Sequence, residues 1–160
     1  YMNMFIDIQL NILDHNVPLL NRIKEKYTRK INSTDTISDN IKYELLQKLD
    51  GMENQTKVCH GDYNPSNVIV KDDGTAFVID WAHVTQGNSA ADAAKTFLIF
   101  SMDGKNDMAE KYVDLFAQKS GVKKVDIQRW IPIVAASQMA RATEEEKTFL
   151  TKWIDVVDYE

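Results

Sequence analysis

The sequence has one cysteine, few glycines and no long apolar run, and each scarcity removes a class of protein. The single thiol, Cys59, excludes an internal disulfide and fits the reducing cytosol, and we interpret it as a small buried residue. No uninterrupted apolar stretch approaches the roughly 20 residues that a membrane-spanning helix needs. Residues 1–20 are interrupted by Asp7, Asn11 and Asp14 and lack a basic leader, which argues against a signal peptide. We therefore expect a cytoplasmic protein that does not bind a membrane.

Positive charge is also scarce. Lys and Arg number 19 against 24 Asp and Glu, which gives a net charge of −5. A nucleic-acid-binding domain would carry a basic face, so we expect no nucleic-acid partner. The one basic run is interrupted by Glu25, and we interpret it as a solvated helix face; it comprises Arg22, Lys24, Lys26, Arg29 and Lys30.

Glycine and histidine are too few or too scattered to form two common kinds of site. The six glycines are not clustered and no strand of the Val-Ala-Ile-Lys type occurs, so a loop and lysine that grip nucleotide phosphates are missing. His60 beside Cys59 does not predict a zinc site, because adjacent residues of a strand point to opposite faces. We assign no role to His15 or His83.

The composition that remains fits one globular domain spanning residues 1–160. Its hydrophobic content of 44% and charged content of 27% are ordinary, and a chain of this length buries about 70% of its unfolded surface. Apolar spacing predicts a helix from Phe5 that Pro18 kinks or restarts before it continues through Leu19, Leu20, Ile23 and Tyr27. Five further helices are predicted from caps and apolar stripes: from Thr36–Asp39 to Gly51, from Ala90 to Ser101, from a cap at Asn106 to Gly121, and from caps at Asp126 and Thr143.

The most informative segment runs from Val58 to Val70 and is followed closely by Phe77 to Trp81. The pattern predicts a buried strand ending at Cys59, then a loop from His60 to Ser66 that Pro65 stiffens. Asn67 is expected to open a strand, the sequence Asp72-Asp73-Gly74 to form a hairpin turn, and residues 75–80 to return. Because both strands are apolar on both faces, we expect the hairpin to be largely covered.

Three polar side chains should meet at the open end of this hairpin. Antiparallel pairing brings Asp80 beside Ser66 and Asn67, at a separation on the order of 5 Å. Two oxygen donors at that distance suit one hard cation such as Mg²⁺. Asp62 lies just upstream and faces the same end. The set can hold Mg²⁺ and direct a hydroxyl at a phosphoryl group.

These residues carry a family resemblance. His60-Gly61-Asp62, Asn67 and Ile79-Asp80-Trp81 resemble the motifs of the aminoglycoside phosphotransferase and choline-kinase-like family, relatives of the protein kinases. The resemblance extends to Gly87 and Asp92 and, more weakly, to a helix over residues 5–31. It implies Asp62 as the catalytic base, Asn67 and Asp80 as Mg²⁺ ligands, and His60 and Asp92 as residues that brace the loop.

The resemblance also implies a fold and a reaction. The fold is α+β and mainly helical: the C-terminal lobe of a protein-kinase-like fold, with a small β-hairpin carrying the catalytic loop. The reaction is transfer of a phosphoryl group from ATP or GTP to a hydroxyl of a small molecule. Since the nucleotide-gripping features are missing and Tyr1 is an unusual first residue, we expect a missing N-terminal lobe and a fragment that is inactive alone.

Other interpretations stay open. A kinase acting on protein is disfavoured by Gly61, where such enzymes carry Arg, and by Trp81, where they carry Phe. A non-catalytic binding or scaffold lobe is the third possibility. The acceptor is unknown, and an aminoglycoside, choline or another hydroxylated metabolite all fit. The candidate acidic residues of an acceptor pocket, each equally explained as solvated or capping, are Glu144, Glu145, Asp155, Asp158 and Glu160.

Overall fold

The computed structural model describes residues 1–154, so Asp155, Asp158 and Glu160 lie outside the described residues. Its elements are, in order, α1 (Met2–Leu13), α2 (Ile23–Ser33), α3 (Asp39–Asp50), β1 (Lys57–Cys59), β2 (Val68–Val70), β3 (Ala76–Val78), β4 (Thr85–Gly87), α4 (Ser89–Met102), α5 (Asn106–Ser120), α6 (Lys124–Ser137) and α7 (Glu144–Ile154). Short 3₁₀ turns occupy Pro65–Asn67 and Met139–Arg141. The architecture is the expected α+β, mainly helical one.

The core is built around α4 and α6. The alanines of α4 at positions 90, 91, 93 and 94 are all buried, and side chains this small let a neighbouring helix approach closely. In α6 every residue from 131 to 137 is buried. Trp130, Ile133 and Val134 face inward as expected. These two central helices support α2, α5 and α7 around them.

Two small antiparallel pairs of strands position the loop that follows β1. In the first, β1 pairs with β4, with Cys59 opposite Thr85. In the second, β2 pairs with β3, with Val68 opposite Val78. Residues 60–67 leave β1 and enter β2, while residues 79–84 leave β3 and enter β4. Both connections therefore lie side by side at the same end of the two pairs.

The first helix does not continue past Pro18. Leu19 is almost fully exposed, and α2 starts anew at Ile23. The Gln86 side chain donates to the carbonyl oxygens of Pro18 and Leu20 at 3.0 and 2.7 Å. The backbone N–H of Gln86 donates to the carbonyl oxygen of Asn21. These bonds hold residues 18–21 against β4 in a non-helical conformation. The prediction that Leu19 and Leu20 continue the helix is wrong.

Helix boundaries follow the cap signals in part. Ser38 caps α3, Gly121 closes α5 in the left-handed conformation, and Thr143 caps α7 by a reciprocal pair of bonds with Glu146. Asn106 is instead the first residue of α5, and Asp126 lies inside the first turn of α6. Those two residues supply no cap.

The hairpin of β2 and β3 is not covered as expected. Side chains alternate across it, so Val68 and Val78 pack against the core while Ile69 and Phe77 face outward, each about half exposed at 49% and 50%. Ile79 is 41% exposed. Nothing within residues 1–154 covers this outer face. The prediction also placed Asn67 in the strand, whereas it ends the 3₁₀ turn before it.

None of the helices in residues 1–154 is both long enough and apolar enough to cross a bilayer.

Candidate active site

The buried imidazole of His60 joins the two connections. The Asp62 amide donates to His60 Nδ1 at 3.1 Å, so Nδ1 is an acceptor and the ring proton resides on Nε2. Nε2 lies 2.9 Å from the carbonyl oxygen of Ile79 and donates to it. The Trp81 ring packs on the imidazole at 4.6 Å between centroids. One neutral histidine thus fixes the loop before Asp62 relative to the segment before Asp80.

Asp92 holds the same loop from the core side. It is buried in the first turn of α4, where its Oδ1 accepts from the Gly61 amide at 2.9 Å and its Oδ2 accepts from Gln9 Nε2 at 3.1 Å. Gln9 in turn accepts from the Tyr112 hydroxyl. Burial raises the pKa of Asp92, and the bonds from Gly61 and Gln9 oppose that rise. The network ties the loop to α1 and α5.

The half-buried carboxylate of Asp62 is aimed by two amide side chains. Asn64 Nδ2 lies 3.3 Å from Asp62 Oδ1, and Asn67 Nδ2 lies 3.2 Å from Oδ2. Both amides also donate to the Asp62 carbonyl, at 2.9 and 2.8 Å. The contribution of Asn64 was missed in the sequence. The signal was there, because an Asn before Pro is extended and Asn64 does cap the following turn.

Asp80 differs from Asp62 and Asp92 in its backbone conformation and in having no hydrogen-bond partner among residues 1–154. Its φ is +59°, a left-handed conformation that is uncommon outside glycine and asparagine. Its side chain is exposed and has no hydrogen bond or ion pair among the described residues. The Ile79 amide donates to the Asn67 carbonyl oxygen at 2.9 Å, which brings Asp80 to the level of Ser66 and Asn67 as the register predicted. An exposed carboxylate without a partner among residues 1–154 is available to bind a ligand.

The donor set fits Mg²⁺. Asn67 uses its amide nitrogen on Asp62, which leaves Oδ1 without a partner among residues 1–154, and Asp80 presents both carboxylate oxygens. Within those residues no group of three or more His, Cys, Asp or Glu could hold a metal ion. Mg²⁺ commonly binds through one or two protein oxygens together with water and substrate phosphates. Two protein donors at this position are therefore sufficient.

Two glycines are required by the local packing. At Gly61, φ is +87° and an added Cβ would lie 2.4 Å from the carbonyl oxygen of His83. At Gly87 an added Cβ would lie 2.2 Å from Ile23 Cγ2. Gly61 allows the loop to approach the segment before β4, and Gly87 allows α2 to pack on that strand.

A cleft of about 470 Å³ opens beside the loop, and its lining differs from the acidic pocket that an aminoglycoside would suit. Gly61 and His83 line it, and so do Lys26 and Lys30 of the basic run. These two lysines are half-buried, so the interpretation of the run as a solvated face is wrong for them. Glu144 and Glu145 are exposed and do not line it. A larger cleft of about 740 Å³ contains none of the loop residues.

His83, Lys95 and Arg141 also line this cleft, although no sequence pattern pointed to them. Lys95 is half-buried on α4, one turn after Asp92. Asp62 and the lysines of α2, which come from distant parts of the chain, have the largest electrostatic effect on it, ahead of Asp92. No local spacing could indicate that arrangement.

Comparison with known proteins agrees with the fold and the motif. Residues 19–125 match the model of the phosphotransferase enzyme family, known as APH. The structure is similar to the crystal structure of choline kinase LicA from Streptococcus pneumoniae, with a TM-score of 0.65 and 12% identity. The alignment covers 98% of this chain and 63% of that one, so this chain spans under two thirds of the kinase's length. A search of curated proteins finds no match.

Proposed function

This chain belongs to the phosphotransferase enzyme family, and from that premise we propose that it transfers a phosphoryl group from ATP or GTP to a hydroxyl of a small molecule. The observation that supports the proposal is a convergence where the two connections meet: Asn67 Nδ2 lies 3.2 Å from Asp62 Oδ2, and the bond from the Ile79 amide to the Asn67 carbonyl oxygen brings the backbone of Asp80 level with Asn67. His60 and Asp92 fix that convergence through bonds to Ile79 and Gly61. A structural lobe without chemistry would not need an unpaired carboxylate in a left-handed conformation.

Asp62 is the group that would receive the acceptor's proton. Its two oxygens are each held by one amide, from Asn64 and Asn67, so the carboxylate is oriented but keeps lone pairs for a hydroxyl. A hydroxyl donating to Asp62 would have its oxygen aimed at the donor phosphate. A positioned base of this kind contributes about 10²–10⁴-fold to the rate.

Asn67 Oδ1 and the Asp80 carboxylate would hold the cation on the other side of Asp62. A bound Mg²⁺ supplies positive charge that offsets the negative charge on the transferred phosphoryl group. The chain's own contribution would be preorganisation, because the backbone of Asp80 is held in the left-handed conformation and its exposed carboxylate is unpaired among residues 1–154.

The exposed outer face of the hairpin fits a position under a second lobe. Ile69, Phe77 and Ile79 present apolar surface directly beside Asp80. We propose that in the complete enzyme a nucleotide-holding lobe and the donor's base cover these residues. The similar choline kinase chain, of which this chain covers 63%, is long enough to contain such a lobe.

The proposal is tested by Asp62→Asn in the complete enzyme. Turnover is expected to fall by about 10²–10⁴-fold while nucleotide affinity stays nearly unchanged, because the amide cannot accept the proton. Asp72→Asn, in the exposed hairpin turn, is the matched control and should leave turnover intact. Steady-state kinetics with nucleotide titration measure both quantities. Turnover within a few-fold of wild type in Asp62→Asn would refute the assignment of the base.

A second variant separates metal binding from proton transfer. Asp80→Ala removes a cation ligand, so Mg-nucleotide affinity is expected to weaken together with turnover. Isothermal titration calorimetry with ATP in the presence and absence of Mg²⁺ gives the affinity. Unchanged Mg-ATP affinity would contradict the metal role. Full activity in both variants would refute both residue assignments, whereas no turnover of the wild-type protein with any acceptor would favour a non-catalytic lobe.

A further inference from the structure

The cleft beside the loop concentrates positive charge in a chain that is negative overall. We name as the basic cleft the cavity of about 470 Å³ that has five cationic side chains in its lining: Lys26, Arg29, Lys30, Lys95 and Arg141. They come from α2, from α4 and from the turn after α6. Glu146 is the one carboxylate in the described lining, and its Oε1 already accepts from the Thr143 amide. Five cations against one engaged carboxylate leave a strong positive excess.

These cations lack a carboxylate within ion-pair distance among residues 1–154. None of the five forms an ion pair there, and the single hydrogen bond among their charged groups is from Lys26 Nζ to the His83 carbonyl oxygen at 3.1 Å. Elsewhere on the surface, cations do find carboxylates; examples are Lys119 with Asp7 and Lys124 with Asp114. Half-buried ammonium groups without counter-ions are unusual, because burial favours pairing.

The cations lie close enough together to repel one another. Burial, with Lys30 and Arg29 nearby, lowers the pKa of Lys26 to about 8. Burial, with Lys30 and Lys26 nearby, lowers the pKa of Lys95 to about 8, although Asp62 opposes the shift. The pKa of His83 falls for the same reasons. An anion placed among them would relieve both the repulsion and the missing hydrogen bonds.

The position of the cleft distinguishes the acceptor from the donor. Gly61 and His83 line it, whereas Asn67 and Asp80 do not. On the proposed function the donor phosphates would lie with the cation at Asn67 and Asp80, outside the cleft. Asp62 is not in the described lining, but its neighbour Gly61 is, and the Asp62 carboxylate interacts electrostatically with Lys95, which does line the cleft. A ligand held in the cleft would therefore lie beside the segment that carries Asp62.

We propose that the acceptor carries an anionic group, a phosphate or a carboxylate, which the basic cleft binds while the acceptor hydroxyl meets Asp62. This inference rests on the proposed phosphotransferase function and narrows its substrate class. It replaces the expectation of an aminoglycoside-like acceptor, since five unpaired cations would repel a polyamine.

The first test measures binding to the 160-residue chain with three probes of one carbon skeleton: glycerol 3-phosphate, glycerate and glycerol. Calorimetry is expected to detect both or one of the anions and not glycerol, and the stronger anion identifies phosphate or carboxylate as the preferred group. Kanamycin serves as the cationic probe. Absence of binding by both anions in the millimolar range, or preference for kanamycin, overturns the inference.

Lys95→Met is the decisive variant because it keeps the apolar stem and removes the charge. Anion affinity should fall about tenfold or more, as expected for loss of one charge-assisted hydrogen bond. Lys111→Met, an exposed cation on α5 outside the cleft, is the matched control and should bind as wild type. If Lys95→Met does not fold, Lys30→Met is the substitute and should show the same loss of anion affinity. Equal affinities in Lys95→Met and Lys111→Met would overturn the inference.

An activity assay on the complete enzyme tests the anionic acceptor and the phosphotransferase function separately. Nucleoside diphosphate release is measured with anionic, neutral and cationic acceptors. Turnover confined to cationic acceptors and unaffected by Lys95→Met would refute the anionic acceptor and keep the phosphotransferase. Intact anion binding with no transfer to any acceptor would refute the phosphotransferase and leave the cleft as an anion site without an acceptor role, which also ends the substrate proposal.

Discussion

Gly61 is the residue on which the approach of the two connections depends. Gly61 and Gly74 have the same φ of +87°, but an added Cβ would lie 2.4 Å from the His83 carbonyl oxygen at Gly61 and within 4 Å of nothing at Gly74. A substitution by alanine therefore has the same conformational cost at both positions. Only at Gly61 would the added Cβ also collide with the His83 carbonyl oxygen. This pair isolates the effect of close packing at the loop.

Gly61→Ala is expected to destabilise the chain more than Gly74→Ala. The shared left-handed cost is about 1–2 kcal/mol, and the collision with backbone at Gly61 adds about 1–3 kcal/mol because His83 cannot rotate away. Urea denaturation of both variants gives the free energies of unfolding. Equal losses would mean that the segment around His83 moves freely, and the loop would then not depend on this contact.

At the same scale, the sequence supplied the identities of the loop residues but not their conformations. Asp62, Asn67 and Asp80 were chosen by motif and register, and the structure brings them to one end of the hairpin; their roles stay predictions. The positive φ of Asp80 could not be read from sequence, because Asp occurs in every backbone region. The position of Lys95 in the cleft could not be predicted for a different reason, since the cleft is shared with α2, which is distant in the sequence.

The element that links the loop to the core is α4, through Asp92 near its start. The bonds run in one direction: the Tyr112 hydroxyl donates to Gln9, Gln9 donates to Asp92 Oδ2, and Gly61 donates to Asp92 Oδ1. A carboxylate can accept both bonds, whereas a carboxamide has one accepting oxygen and one donating nitrogen. For the stability of this network, the negative charge of Asp92 matters less than its ability to accept two hydrogen bonds.

Asp92→Asn is therefore expected to lower the free energy of unfolding by about 1–3 kcal/mol, because one donor would face another donor inside the core. Asp107→Asn is the matched control, since Asp107 occupies the first turn of α5 but is exposed. Thermal unfolding of the 160-residue chain compares them, at about 2–4 °C for each kcal/mol. A melting temperature equal to that of Asp107→Asn would show that Gln9 and Tyr112 reverse their bonds without cost.

Elements with strong local signals were predictable and those held by distant partners were not. The helices α3 and α7 carry capping residues, and α4 carries a dense apolar stripe, so their positions follow from the sequence. The three residues of β4 have no periodic pattern, and their strand conformation comes from pairing with β1. The gap between α1 and α2 likewise depends on bonds from Gln86. Non-local hydrogen bonds decided both cases.

At the scale of the whole molecule, the charge distribution opposes the net charge. The chain carries −5 overall, yet the basic cleft gathers five cations beside the loop that carries Asp62. An acidic surface repels polyanions, whereas a basic cleft attracts a small anion that can enter it. The proposed preference for a small anionic acceptor rests on that arrangement.

This arrangement predicts how anion binding depends on pH. The pKa values of Lys26 and Lys95 are lowered to about 8, so both are mainly protonated at pH 7 and lose their protons as the pH rises above 8. Glycerol 3-phosphate is a dianion throughout that range, since its second pKa is near 6. Its affinity is therefore expected to be full below about pH 8 and to fall above it, with protons taken up on binding near the midpoint.

The other charged groups that face these lysines leave the sign unchanged. Burial also lowers the pKa of Lys30, which acts on the affinity in the same direction, and the lowered pKa of His83 keeps it neutral. The other charged groups around these lysines are Arg29, Arg141, Asp62 and Glu146. Calorimetry in two buffers of different ionisation enthalpy, at several pH values, measures affinity and proton uptake together. Lys95→Met should flatten the profile and Lys111→Met should retain it. An affinity that is constant from pH 7 to about 10 would contradict a binding site made of these two lysines, because both would then have given up their charge without consequence.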